Sequence, residues 1–270
     1  MNISASDVNE LRERTGAGMM ECKKALDEAS GDIEKAVEIL RKKGIAKAAK
    51  RSENETSEGV IKLAVSADAK TGYMLQVNCE TDFVARNEQF QKFVDEILAL
   101  ITANEPADLD ALHALPMASG DTVKTSLGHM SGTIGEKMEI KNFSVTKSVG
   151  TVAAYLHAGG TIGVLVSLDT ADKADLARDI AMQVAAANPR YINPEEVDQT
   201  ELAKEQDVYR EILVREGKPV EMIDKIMPGK VNKYYEEVCL IKQEYIKDDK
   251  QKVQDVLGAV KVLKFVRFSL

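Results

Sequence analysis

Apolar positions at the amino end of the chain are spaced as in short amphipathic helices. They recur at i, i+3, i+4 and i+7 in two consecutive segments, which carry Met19, Cys22, Ala25, Leu26 and Ala29, then Ile33, Ala36, Val37 and Leu40. A capping box, Ser4 with Asp7, begins a helix before them. Glycines supply the turns, and Gly44 is expected to end the last helix. These patterns predict a three-helix domain over residues 1–45.

A polar stretch without an apolar stripe follows the predicted bundle. Residues 46–58 read Ala-Lys-Ala-Ala-Lys-Arg-Ser-Glu-Asn-Glu-Thr-Ser-Glu. Such a composition is typical of a flexible connection between domains. We therefore interpret this stretch as a linker.

The rest of the chain contains a diverged internal repeat in which apolar and polar residues alternate as in strands. In the first copy, residues 59–146, strands are predicted near 61–65, 73–78 and 135–143, and a helix over 90–101. In the second copy, residues 147–193 and 234–270, strands are predicted near 152–156, 162–166 and 258–265, and a helix over 172–187. Each copy thus supplies three antiparallel strands and a helix. The predicted fold class is α+β, with two related sheet subdomains.

A helical hairpin is predicted as an insertion in the second copy, over residues 194–233. Its outgoing arm carries Leu202, Val208, Ile212 and Leu213, and Gly217-Lys218-Pro219 reverses the chain. Two helices alone bury little apolar surface, so a partner could cover the hairpin. The alternative is a lid packed on the protein's own body.

Composition excludes several classes of protein. The net charge of −8 and the pI of about 5.2 argue against a general nucleic-acid binder. We find no apolar run near the ~20 residues that cross a bilayer, and no secretory signal at the start. The cysteines, Cys22, Cys79 and Cys239, are far apart, which favours buried thiols over disulfides or a zinc site. These features predict a cytoplasmic protein without membrane contact.

Motifs for catalysis or cofactor binding are weak. Gly16-x-Gly18-x-x-Glu21 lacks the third glycine of a dinucleotide fingerprint, and the sequence has no phosphate loop of the form G-x-x-x-x-G-K-[ST]. The histidines lack metal-ligand spacing. His157-Ala158-Gly159-Gly160 resembles an oxyanion-hole loop, but no G-x-S-x-G elbow accompanies it. We therefore expect no enzyme activity, no metal and no cofactor.

The most informative segment is Thr81-Asp82-Phe83-Val84, which connects a predicted strand to a predicted helix. An acid beside a large apolar ring is an unusual choice for a plain connection. Binding residues are often carried by short connections on rigid scaffolds. The alternative is that Phe83 is buried in the core and Asp82 only fixes the turn.

Two longer segments resemble hallmarks of the bacterial elongation factor Ts family. They are Val77-Asn78-Cys79-Glu80-Thr81-Asp82-Phe83-Val84-Ala85-Arg86 and Leu11-Arg12-Glu13-Arg14-Thr15-Gly16-Ala17-Gly18-Met19-Met20-Glu21-Cys22-Lys23-Lys24-Ala25-Leu26. The resemblance implies a guanine-nucleotide exchange factor for elongation factor Tu, which has no active site of its own. It further implies that the amino-terminal bundle is UBA-like, and that the hairpin serves a homodimer, a two-plus-two complex or a partner contact.

The resemblance also implies which residues contact the partner. Thr81, Asp82, Phe83 and Val84 would displace magnesium and disturb the phosphate site, so that GDP leaves and GTP can reload. The other expected partner-binding residues are Arg12, Met19, Met20, Lys23, Ile134, Gly135 and His157. The main alternative function is a non-catalytic protein-binding adaptor that uses the bundle; a hydrolase built on His157 is less favoured.

Overall fold

The computed structural model describes residues 3–270, apart from the side chains of residue 45 and residues 47–50, so the first two residues of the predicted 1–45 domain lie outside it. Three helices form the amino-terminal bundle as expected: α1 (Ala5–Thr15), α2 (Met19–Glu28) and α3 (Ile33–Lys50). The capping box of Ser4 and Asp7 begins α1, and Gly16, at φ 67°, ends it in the left-handed region. Leu11, Cys22 and Leu26 lie in a small apolar core of the bundle's own.

The first copy of the repeat forms an antiparallel three-stranded sheet with helices on one face. Its strands β1 (Glu58–Val65), β2 (Thr71–Cys79) and β3 (Met138–Lys147) pair in that order. Between β2 and β3 lie four helices: α4 (Asp82–Ala85), α5 (Glu88–Asn104), α6 (Leu109–Ala114) and α7 (Val123–Ile134). Helix α5 packs on the sheet through the predicted apolar face, which includes Phe90, Phe93, Val94, Ile97, Leu98 and Ile101.

The second copy repeats this arrangement, which confirms the α+β class and the paired sheets. Strands β4 (Thr151–Leu156), β5 (Ile162–Leu168) and β8 (Val262–Ser269) form its sheet, and α8 (Ala174–Ala187) covers one face. Between α8 and β8 lie α9 (Gln199–Arg215), α10 (Val220–Val238), the short hairpin β6 (Glu244–Tyr245) and β7 (Asp248–Lys252), and α11 (Val253–Leu257). Single-turn 3₁₀ helices occur at Pro194–Glu196 and Leu240–Lys242.

The two sheets pack face to face, so the body has four layers: helices, sheet, sheet and helices. Strand β2 is buried on both faces, because Leu75 points toward α5 whereas Met74 contacts the second sheet. Leu165 of β5 meets Met74 across the interface. Two glycines allow the close approach: a β-carbon at Gly163 would lie 2.5 Å from Ile61 Cγ2, and one at Gly72 would lie 2.6 Å from Val152 Cγ1.

The expectation that Gly44 ends the third helix is wrong. Helix α3 continues to Lys50, because Gly44 is buried against Gly132 of α7 and this packing outweighs the low helix propensity of glycine. The rest of the predicted linker is bonded to the body as well. The Thr56 hydroxyl donates to the Glu139 carboxylate at 2.7 Å, and the Asn78 amide donates to the Thr56 carbonyl at 2.8 Å. The domain boundaries themselves stay predictions.

The inserted hairpin consists of α9 and α10, and its return helix ends at Val238, five residues beyond the expected limit. The two helices pack on each other near the turn through Leu213, Ile223 and Met227. Near the body they pack through Leu202, Tyr234 and Val238, together with Val197, which precedes α9. These apolar clusters hold the two arms together rather than pressing the hairpin onto a sheet as a lid. Within residues 3–270, no helix is long and apolar enough to cross a membrane.

Gly163→Ala tests the sheet-to-sheet packing. The added methyl group would collide with Ile61, and overpacking of this kind typically costs about 1–3 kcal/mol of unfolding free energy. We expect the midpoint of urea unfolding, monitored by circular dichroism, to fall. Gly229→Ala in α10 is the control, since a β-carbon there meets nothing within 4 Å and the helix gains about 0.5–1 kcal/mol. An unchanged midpoint for Gly163→Ala would contradict the close approach of the sheets.

Candidate functional site

Phe83 is presented to solvent by the short helix α4, directly after the end of β2. Thr81 caps this helix, and Val84 is buried beneath it. The Phe83 side chain is 82% exposed, more than any other large apolar residue in the described chain. The alternative that Phe83 is a core residue is therefore wrong. An aromatic ring held in water on a rigid turn is a candidate contact for a partner.

Two reciprocal contacts between a carboxylate and a neighbouring segment, which we call the carboxylate clamp, fix α4 to the turn between α7 and β3. Glu136 accepts two hydrogen bonds from Thr81, one from the amide at 3.0 Å and one from the hydroxyl at 2.7 Å. Glu80 in turn accepts the Lys137 amide at 2.5 Å. The clamp therefore consists of Glu80, Thr81, Glu136 and Lys137, and each segment supplies a carboxylate to the other's backbone.

Further contacts strengthen the Glu80 side of the clamp. Asn54 donates to Glu80 at 3.0 Å, and Arg51 lies 3.4 Å from the same carboxylate oxygen. The Lys137 amide hydrogen bond, followed by these neighbours, holds the pKa of Glu80 below its usual value. The preceding Cys79 is buried, and desolvation raises the pKa of its thiol to about 12. This thiol is therefore a neutral core group rather than a nucleophile.

Asp82 lies beside Phe83 and is only lightly restrained. Its carboxylate forms an ion pair with Arg86 at 3.1 Å, one turn further along, and both side chains are more than 40% exposed. Exposed pairs of this kind contribute little and break readily. Asp82 is thus free to exchange Arg86 for a group on a partner.

The amino-terminal bundle presents a second apolar surface at the start of α2. Met19 and Met20 are 55% and 64% exposed, and the expected contacts Arg12 and Lys23 are exposed as well. The turn before them touches the body, since a β-carbon on Gly16 would lie 3.3 Å from both the Gln89 and the Thr133 side chains. This surface therefore adjoins α5 and the end of α7.

Ile134 and Gly135 lie at that end of α7, next to the clamp. Gly135 ends the helix at φ 87°, where its amide donates to the Ser131 carbonyl at 2.8 Å. Ile134 is half-buried against the core of the first subdomain. The structure thus brings together three of the predicted contacts: the α4 segment, the 134–135 turn and the start of α2.

His157 lies apart from these residues, on the turn between β4 and β5. Its ring is exposed, and Nδ1 lies 3.1 Å from the Tyr155 hydroxyl. The turn is held against the first sheet, because the Ile61 amide donates to the Gly160 carbonyl at 3.3 Å. Its position is therefore fixed relative to β1 and β2. Within residues 3–270, no group of three or more His, Cys, Asp or Glu side chains could hold a metal ion.

Sequence reasoning missed Glu136 and the role of Glu80. Both are ordinary surface-type residues in the sequence, and their partners lie 55 and 57 positions away. The local signal of this site was Thr81, whose side chain caps the short helix α4. Nothing local indicates the second segment that completes the clamp.

Glu136→Gln tests the clamp. A glutamine is uncharged and offers one acceptor oxygen, so one Thr81 donor loses its acceptor and the other keeps only a neutral one. Charged hydrogen bonds are worth about 1.5–3 kcal/mol, and we expect amide hydrogen exchange at Thr81 to rise by roughly tenfold or more. Glu88→Gln is the control, since Glu88 is exposed and its ion pair in the described part of the chain is with Lys92 of its own helix. Unchanged exchange at Thr81 would show that the clamp does not restrain α4.

Sequence comparisons find similar proteins over nearly the whole chain. The family model described as elongation factor TS matches residues 80–270. The elongation factor Ts of Chlorobaculum tepidum is 46% identical over 283 aligned positions, which cover 99% of this chain and 98% of that protein. Those of Clostridium botulinum strain Eklund 17B and Nautilia profundicola are 44% and 43% identical, over 99% and 100% of this chain and 92% and 93% of theirs.

The family match begins at Glu80 and so includes the α4 segment, the 134–135 turn and His157. The full-length similarity extends it to the bundle and its methionine surface. The chain belongs to the elongation factor Ts family.

Proposed function

We propose that this protein binds elongation factor Tu in its GDP-bound and nucleotide-free forms and promotes GDP release. Family membership makes it a translation elongation factor and a nucleotide exchange factor rather than an enzyme. We place its action in the cytoplasm, where elongation takes place. The observation that carries the mechanism is the exposed Phe83 on a clamped helix.

Exchange requires differential binding and no acid, base or metal of the factor's own. A factor that binds the nucleotide-free partner more tightly than the nucleotide-bound partner must weaken nucleotide binding by the same ratio. A high concentration of GDP should therefore also dissociate the factor from its partner. A rigid apolar group at a contact surface is suited to this role, because it fits only one of the partner's conformations.

In the proposed mechanism, Phe83 inserts into an apolar slot near the partner's magnesium and phosphate site. Asp82 then perturbs the groups that hold the magnesium, whose near-octahedral geometry tolerates little displacement. Its weak pair with Arg86 supports this role, since little is lost when the carboxylate changes partner. Once the metal shifts, the phosphates lose charge compensation and GDP leaves.

The other contacts anchor the complex. The bundle surface of Arg12, Met19, Met20 and Lys23 adjoins the 134–135 turn, so both can dock on one domain of the partner. His157 would contact a separate part of it. The hairpin carries exposed apolar side chains near its turn, at Val208, Ile212, Val214, Val220 and Met222. We propose that this part of the hairpin contacts a second copy of the chain or the partner.

Release of a fluorescent GDP analogue from elongation factor Tu tests the proposed function. The wild type should accelerate release at substoichiometric amounts; binding without acceleration would favour an adaptor instead. Phe83→Ala should slow release while unfolding free energy changes by less than about 0.5 kcal/mol, because the ring is exposed.

The Phe83 variant has two controls, one at an exposed apolar residue and one at a buried ring. Val149→Ala removes another exposed apolar side chain, 78% accessible and distant from α4 in sequence, and should leave release unchanged. Phe90→Ala removes a fully buried ring and should cost about 3–5 kcal/mol of stability. Full acceleration by Phe83→Ala, or a stability loss like that of Phe90→Ala, would contradict the insertion mechanism.

Magnesium dependence tests the role of Asp82. Chelation performs part of the displacement assigned to this carboxylate, so the wild type should accelerate release strongly with magnesium and weakly after chelation. Asp82→Ala should lose part of the acceleration only when magnesium is present. The measurement is stopped-flow GDP release with and without chelator. Equal fold-acceleration in both conditions would mean that the site opens by another route, such as the contact at His157.

A further inference from the structure

We propose that the contact between α3 and α7 is a positioning device that holds the amino-terminal bundle in one orientation on the body. We call it the α3–α7 docking contact, and it consists of Arg41, Gly44, Asp121, His129 and Gly132. This proposal rests on the proposed function, because the role of the docking contact is to present the Met19–Met20 surface and Phe83 to the partner as one preformed surface.

The backbones of the two helices touch where Gly44 meets Gly132. A β-carbon at Gly132 would lie 2.2 Å from Gly44 Cα, so only glycine fits at position 132, whereas a β-carbon at Gly44 would lie 3.5 Å from Gly132 Cα, an ordinary contact. Neither glycine has a positive φ, and both lie inside helices, where glycine costs about 0.5–1 kcal/mol relative to alanine. At position 132 that cost is unnecessary unless the close approach itself is needed.

A polar network lies beside the crossing and joins the two parts of the protein. Arg41 of α3 reaches Asp121 with Nη2 at 2.7 Å from Oδ1 and donates from Nε to His129 Nε2 at 3.1 Å. The other ring nitrogen, Nδ1, lies 3.4 Å from Asp121 Oδ2. Since Nε2 accepts a hydrogen bond, this His129 is the neutral tautomer with its proton on Nδ1. Desolvation lowers the pKa of His129, with Asp121 opposing and Arg41 assisting, which favours that neutral form.

The docking contact is the most extensive tie between the bundle and the body, beside the contact of the Gly16 turn with Gln89 and Thr133, and no apolar core of the described chain joins the two parts. Within the described chain, the apolar cluster of the bundle contains residues of the bundle alone, from Ile3 to Leu40. Between bundle and body lies a cavity of about 700 Å³ whose lining includes charged side chains such as Arg14, Lys24 and Lys43. Loss of the docking contact should thus free the bundle without unfolding it.

A freed bundle would lower the effective concentration of one contact surface relative to the other. Two linked contacts bind tightly only when their geometry allows both to engage at once. The insertion of Phe83 is unaffected, since the clamp that holds α4 belongs to the body. The concentration of partner that gives half-maximal exchange should therefore rise, while the maximal exchange rate stays the same.

Two variants break the docking contact, and each has a matched control in the same helix. Arg41→Ala removes the network, whereas Lys42→Ala removes the same charge from a side chain that is 73% exposed and pairs with Glu38. Gly132→Ala forces the crossing apart, whereas Gly128→Ala adds a β-carbon that meets nothing within 4 Å.

Orientation is measured by double electron–electron resonance between spin labels at the exposed positions Glu10 in α1 and Lys92 in α5. We expect one narrow distance in the wild type and both controls, and a broad distribution in Arg41→Ala and Gly132→Ala. In GDP-release assays on the unlabelled full chain, the half-saturating concentration of GDP-bound elongation factor Tu should rise about tenfold in those two variants at an unchanged maximal rate. Arg41→Lys, which can still reach Asp121, should restore part of the loss.

Each contrary result overturns the proposal in a distinguishable way. A narrow distance in both Arg41→Ala and Gly132→Ala would show that the contact does not fix the bundle. A broad distance with unchanged half-saturation would show that orientation is irrelevant to binding. A fall in maximal rate alone would assign the contact to the exchange step instead. Failure of the wild type to accelerate release would overturn the proposed function, and with it the surface that the docking contact is meant to present.

Discussion

The face-to-face packing of the two sheets is the constraint on which the rest of the structure depends. Strand β2 is buried on both faces, so its position is fixed by α5 on one side and by the second sheet on the other. Gly72 and Gly163 set how closely the sheets approach. Because β2 leads directly into α4, this packing determines the position of Phe83. It also determines the position of His157, whose turn is bonded to β1 through Ile61.

An exposed Phe83 is costly to keep in place, which makes the carboxylate clamp informative. Burying such a ring would gain about 1.5–3 kcal/mol, and a four-residue helix has little stability of its own. Glu136 compensates by binding both donors of Thr81, and Glu80 ties the same region to Lys137. The protein thus holds an apolar side chain out of its core at a defined place. This arrangement favours recognition of a partner over self-sufficient stability.

Much of the fold could be predicted from the sequence, because strands and long helices carry their own periodicity. The six strands of the two sheets and the apolar face of α5 follow from alternation and from i, i+3, i+4 spacing. Helix α7 was missed because most of its residues, Val-Lys-Thr-Ser-Leu-Gly-His-Met-Ser-Gly-Thr-Ile, are poor helix formers. Two usable signals were its caps, Thr122 and Gly135, and the apolar spacing of Val123, Leu127, Met130 and Ile134, which pack on the first core.

The candidate site likewise has features that the local sequence predicts and features that it does not. The exposed segment around Phe83 was found because an acid and a ring on a short connection are visible locally. The clamp and the α3–α7 docking contact were not, since their members are separated by more than 50 and about 80 positions. Gly44 shows the difficulty most clearly: glycine near the end of a helical pattern predicts a stop, yet here it lies inside α3 at the point where that helix meets Gly132 of α7. Only the tertiary structure distinguishes the two roles.

Photo-crosslinking from position 83 tests the central claim most directly, namely that this side chain enters the partner. Phe83 is replaced by benzoylphenylalanine, and the variant is irradiated with nucleotide-free elongation factor Tu. The account predicts a high yield of crosslinks to the nucleotide domain near the magnesium site, which GDP with magnesium suppresses. The same probe at Val149, a comparably exposed position, should give little product. Equal yields from the two positions, or crosslinks insensitive to GDP, would contradict the account.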